Sequence, residues 1–221
     1  MSGSKKISKQ TRGQGAVDGF PRLLGERLCL DFINTLEKLL AAGPADFLPI
    51  WADLAWWGRH VRLLTMEDVE RALKLGDDQP ETAAALHARA MHLRASLTHL
   101  FTPIARHQPP GEAALRALEA EMFRAAASIG LQRTGERYAW TWQRPDQPVE
   151  RLLWEITRSA VELLTVDDVH RIKECPGAND CGSLFYDASR NGARRWCSME
   201  RCGSRVKMRR HYARHARRTM A

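Results

Sequence analysis

The 221 residues contain no run approaching the roughly 18 uncharged apolar residues that a membrane span needs, so no membrane partner is expected. The basic N-terminal stretch MSGSKKISKQTRGQG has no apolar segment behind it and does not read as a secretory signal. Residues 1–19 are expected to form a disordered basic arm. Cysteine is scarce, with five in all, and four of them fall between Cys175 and Cys202. That clustering does not fit a secreted disulfide framework. It favours a reducing compartment where thiolates stay available to metal, so a cytoplasmic location is expected. Also missing are a Ser/His/Asp grouping, a Gly-rich phosphate loop and a metal-binding helix motif; His87, His92, His99 and His107 have no i, i+4 spacing. The chain is not expected to be an enzyme.

What is present is a globular balance of 44% hydrophobic and 27% charged residues, with an uneven distribution of charge. Residues 171–221 hold thirteen Lys or Arg against four Asp or Glu, a balance of +9. Residues 1–13 carry +4, and residues 14–170 carry seventeen basic against twenty-two acidic side chains, or −5. One end of the molecule is therefore built for a polyanion, and the body is mildly acidic.

Along the body the hydrophobic period is mostly helical. Residues 20–40 place Leu28, Cys29, Phe32, Ile33, Leu36, Leu39 and Leu40 on one arc, which predicts a single helix with Cys29 as a core thiol. A second helix is predicted after Gly43-Pro44, locked into the core by Trp56 and Trp57. A third starts at a capping box from Thr65 to Asp68 and stops at Gly76. A long Ala-rich helix runs from Pro80 to about Ala105, and another from Glu112 to Ser128. Residues 129–142 alternate around Thr134-Gly135 and predict a β-hairpin, the body's only substantial sheet, before a last amphipathic helix at 149–165.

Cys175, Cys181, Cys197 and Cys202 form two close pairs on either side of a hairpin-length insert. Each pair supplies two thiolates from one tight turn, and the insert brings the chain back to complete a tetrahedral shell. Leu184-Phe185-Tyr186 and Arg194-Arg195-Trp196 are strand-like, with Asn191-Gly192 as their turn, and Ser198 suits the N-cap of a final helix. Knuckle, hairpin, then a helix carrying the second pair is a treble-clef layout. Four cysteines leave no open position, so one structural Zn2+ is expected and no metal catalysis. Around this frame the candidates for DNA contact are Arg190, Arg194, Arg195, Arg205, Lys207, Arg209, Arg210 and Arg214. Arg outnumbers Lys here, as suits bidentate grip on phosphate or guanine.

The stretch Leu184-Phe-Tyr-Asp-Ala-Ser-Arg-Asn-Gly-Ala-Arg-Arg-Trp-Cys-Ser-Met-Glu-Arg-Cys-Gly-Ser-Arg205 resembles the CGNR zinc finger, with Ser204 where the family has Asn. Arg27-Leu-Cys-Leu-Asp-Phe-Ile-Asn-Thr-Leu36 resembles the opening of the ABATE domain that precedes this finger. The resemblance implies a bacterial, stress-induced transcription regulator, with a DNA-binding finger beneath a regulatory domain. Asp31 and Asn34 are the matching polar residues in the body. They are candidates for binding an effector, against the alternative that they cap or hydrogen-bond nearby backbone.

The expected fold is mainly α: a helical domain over residues 20–170 with one small hairpin, then a treble-clef-like four-cysteine finger with a basic C-terminal helix over 171–221. The expected function is DNA-binding transcription regulation, with the helical domain sensing a small-molecule effector or forming a homodimer. The competing reading is a zinc-dependent protein-interaction or RNA-associated module without sequence-specific DNA binding.

Overall fold

The computed structural model describes residues 16–17, 19–40, 43–144, 146–177 and 181–219, with the side chains at 16–17, 37–40, 43–44, 210 and 213–219 left out. Almost all of the expected basic arm, residues 1–19, lies outside the described residues. A two-residue pairing of β1 (Ala16–Val17) with β2 (Phe20–Pro21) leads into α1 (Leu28–Ile33). The helix predicted over 20–40 is thus much shorter. It ends at Asn34; Thr35 donates its hydroxyl to Phe32 O (2.6 Å), and the chain turns into an antiparallel pair, β3 (Leu36–Leu40) with β4 (Gly43–Asp46). Arg94 holds this second hairpin from below: its guanidinium grips both Asp46 carboxylate oxygens (2.7 and 2.6 Å) and donates to Thr35 Oγ1.

The helices then follow the predicted order: α2 (Trp51–His60), α3 (Met66–Asp78), α4 (Pro80–Ala105) and α5 (Glu112–Ala126). The capping box is formed as the sequence predicts. Asp68 N–H donates to Thr65 Oγ1 (3.1 Å) and Thr65 N–H to Asp68 Oδ2 (2.9 Å). Of the two adjacent tryptophans only Trp57 is in the core; Trp56, turned about 100° round α2 from it, is 40% exposed. Pro103 sits in the last turn of α4, two residues before the helix ends, so it terminates the helix without kinking its middle.

The predicted hairpin forms as β5 (Ile129–Thr134) with β6 (Arg137–Trp142), Gly135 taking a positive φ of 65° in the turn. Leu131, Tyr138 and Trp140 stand largely exposed on it. After α6 (Pro148–Thr165) and one turn of 3-10 helix, β7 (Ile172–Glu174) pairs with β8 (Leu184–Tyr186), and α7 (Ser204–Thr219) closes the chain.

The long α4 is the central strut, packed against α1, α2, α3, α5 and α6. Its small residues Ala83 and Ala90 let neighbours approach, while Leu93, Leu97, Leu100 and Phe101 fill the space between. The core does not stop at the end of the body. Ile172, Leu184 and Tyr186, from the first hairpin of the cysteine region, belong to the same apolar cluster as Phe32, Leu97 and Leu163.

Candidate metal centre and nucleic-acid interface

Four thiols are brought together by two separate turns. The first lies between β7 and β8, where Cys175 N–H donates to Ser183 O (2.9 Å) and Gly182 N–H donates to Cys175 O (3.1 Å). Gly177 makes the approach of the second turn possible: a Cβ there would lie 2.7 Å from Cys202 Sγ. The second turn is capped by Ser198, whose hydroxyl accepts from Arg201 N–H (3.3 Å) while its carbonyl accepts from Cys202 and Gly203 N–H. Cys202 sits in a short wide turn, Met199–Gly203, at the entry to α7.

All four Sγ atoms lie within 4.8 Å of one another, and Cys181–Cys197 and Cys197–Cys202 are 3.7 Å apart. Zinc–sulfur bonds of about 2.3 Å in a tetrahedron put sulfurs roughly 3.8 Å apart, so the set fits one zinc ion with no open position. The clustered thiols hydrogen-bond to one another and shift in opposite directions, Cys181 down and Cys197 and Cys202 up. Cys29 is the contrast: burial pushes its thiol up to about 12, and it remains a protonated core residue as expected. These four cysteines are placed to bind one structural metal ion, and the side chains that shape the finger lie in the loop between the two turns.

That loop differs from the sequence expectation. Arg194-Arg195-Trp196 do not pair with Leu184-Phe185-Tyr186; β8 pairs backward with β7, Ile172 opposite Tyr186 and Glu174 opposite Leu184. The loop is wound instead around a buried charge. Asp187 accepts from Lys173 Nζ (2.6 Å), Ser189 N–H (3.0 Å) and Arg194 N–H (2.9 Å). Burial alone would raise the Asp187 carboxyl; Lys173 and Ser189 outweigh it and bring it down to about 2. The Asn191-Gly192 turn is present, with Gly192 at a φ of 61°.

The expected DNA-contact residues divide into three groups. Arg190, Arg195, Arg205, Lys207 and Arg209 are exposed, Arg195 lying over the Trp196 ring at 5.2 Å. Arg194 is turned inward: it donates to Trp196 O, Cys197 O and Leu24 O, pairs with Glu26 (2.9 Å) and covers the Phe185 ring. It braces the finger against the body. Arg210 and Arg214 lie on α7, with side chains outside the described residues.

Asp31 and Asn34 are also taken up by the chain's own backbone. Asp31 accepts from Gly25 N–H (2.7 Å), and burial pushes its carboxyl up to about 6. Asn34 donates through Nδ2 to Leu184 O (2.8 Å) and accepts at Oδ1 from Leu184 N–H (2.9 Å). The void beside Asn34 measures ≈10 Å³, the size of one water. Both serve a seam between body and finger that residue spacing did not announce. In it Arg27 grips Asp167 through two bonds (2.6 and 2.7 Å) and lies 4.2 Å over the Tyr186 ring, while Tyr186 N–H donates to Gly25 O.

Comparison with known families separates the same two regions. The CGNR zinc finger model matches residues 171–215. The ABATE model, described as "Putative stress-induced transcription regulator", matches residues 26–167, more than half of the chain. The chain belongs to the ABATE family. A search of curated proteins returns no match. In this ABATE protein both matched families are of regulatory or zinc-finger type, and no helix among the described residues is long and apolar enough to cross a membrane.

Proposed function

We propose that this protein is a cytoplasmic DNA-binding transcription regulator. Zinc closes the finger, exposed basic side chains grip the duplex, and the helical domain senses a small molecule or forms a homodimer. The observation that carries the reading is the set of exposed cations on a rigid frame: Arg190, Arg195, Arg205, Lys207 and Arg209 ring a metal site clamped to the body, at the +9 end of the chain. Among the described residues Arg190, Arg205 and Lys207 make no ion pair, so their charge is available to phosphate. Arg194 acts from inside, holding the loop that presents its neighbour Arg195.

The test is fluorescence anisotropy of the zinc-loaded protein with random duplex DNA across a salt series. Each phosphate contact contributes about 0.9 to the slope of log K against log salt, so Arg205→Ala and Lys207→Ala should each lower it by about 1. Absence of salt-dependent affinity at low ionic strength overturns the proposal, and tighter binding to an RNA hairpin than to duplex DNA moves it to RNA.

A further inference from the structure

One cavity of the body, ≈660 Å³, is lined by residues other than Asp31 and Asn34. It opens where α2 and α6 begin and where α3 ends against the start of α4. That volume is in the roughly 300–1,000 Å³ range of small-molecule sites. Its walls are mainly apolar: Trp51, Ala72, Leu75, Leu86, Pro148 and Val149. Trp51 is fixed as a wall because its Nε1 donates to Ala72 O (2.7 Å), leaving the ring with an apolar role only.

The polar groups at the rim are unequal. The cations are already neutralised, Lys74 by Asp78 and Arg71 by Asp68 and Glu67. The carboxylates are less fully matched. Among the described residues Asp146 has no ion pair, and Glu150 stands 3.7 Å from Arg89, whose closer partner is Glu121 at 2.8 Å. Gln147, between them, keeps its Oε1 buried without a hydrogen-bond partner, an acceptor facing no donor. The positive end of each bordering helix is already offset by an acidic residue in its first turn, Glu81 in α4 and Glu150 in α6.

We propose that this cavity binds a hydrophobic amine: a planar apolar body against Trp51, Leu75 and Leu86, with its ammonium group facing Asp146 and Glu150. The site deepens the sensing role proposed above and rests on it for its purpose, although binding itself does not require DNA. Coupling has a physical route. α6 starts at the cavity and runs 18 residues to Thr165, just before Asp167, which Arg27 ties to Tyr186 of the finger.

The experiment is calorimetric titration of the full zinc-loaded chain, without DNA, using tryptamine against indole-3-propionate, which has the same ring and a negative head. Saturable tryptamine binding at one per chain is expected, with the acid weaker by at least about tenfold. Asp146→Asn should weaken tryptamine several-fold. Leu86→Trp, which fills the cavity, should weaken it by at least about tenfold. Should Leu86→Trp fail to fold, Thr82→Trp fills the cavity from the exposed rim. No saturable tryptamine binding at millimolar concentration, equal binding of the acid, or undiminished binding to a folded cavity-filled variant overturns the proposal. Because DNA is absent, any of these leaves the DNA reading to its own salt test.

Discussion

Asn34 spends its whole carboxamide on one peptide unit of the finger, giving a hydrogen bond to Leu184 O and taking one from Leu184 N–H. Replacement by Ala leaves both backbone groups of Leu184 without a partner on that side, and the expected loss is about 2–3 kcal/mol. A lower urea midpoint at unchanged m-value checks it. Asp31 gives a pH signature. Its folded pKa of about 6 lies above the usual 3.8, so the fold prefers the neutral acid. This contribution is complete below about pH 4 and is lost as pH rises through 6, by at most about 3 kcal/mol. Wild type should therefore fall behind Asp31→Asn in urea stability between pH 4.5 and 7 by a margin of about that order; parallel pH profiles would refute the assignment. The sequence marked Asp31 and Asn34 as polar residues worth explaining. The partner of Asn34 lies 150 residues further along the chain, and that of Arg27 lies 140 further, separations that no local pattern encodes.

Element by element, the long helices were legible because their period and caps agree: the Thr65–Asp68 box, Pro80 and Pro148 at helix starts, and the Gly135 turn all stand where the sequence puts them. The elements that went astray are the short ones. Residues 20–40 have a helical arc throughout, yet Thr35 closes the helix with a local bond to Phe32 O and Asn34 with bonds to Leu184 that only the folded protein offers. Arg194-Arg195-Trp196 look like a strand, but the competing strand Ile172–Glu174 takes the available edge of β8, and Lys173 then gathers Asp187, Gly192 O and Arg194 O into the loop. The four cysteines were fully legible, since ligand chemistry needs only residue type and spacing. Between them, Gly177 is the position where a methyl group is intolerable, 2.7 Å from Cys202 Sγ. Gly177→Ala should weaken zinc by at least about tenfold, measured by competition with a chromogenic chelator, with little change in the helical signal while the site stays loaded.

For the whole molecule, the decisive fact is that body and finger share one apolar cluster. Metal removal should therefore reach beyond the finger. Treating the protein with EDTA is expected to lower the melting temperature of the helical signal by about 5 °C or more, and the loaded protein should melt in one transition. Two separate transitions, with the first alone sensitive to chelator, would show that the seam is weaker than its contacts indicate. The charge asymmetry was legible from the sequence; the sharing of the core was not, because it depends on where Ile172, Leu184 and Tyr186 come to rest.

The seam also imposes an order on synthesis. Gly25, Arg27, Asp31 and Asn34 leave the ribosome well before residues 172–194, and until then Asn34 has no Leu184 and Gly25 O has no Tyr186 N–H. The helix Leu28–Ile33 must wait for the strand Leu184–Tyr186, and the body remains open on that side while it waits. Emergence of residues 172–202 and capture of zinc therefore meet in a single closing event, and a chain that stops short of its cysteines lacks part of its core as well as its finger.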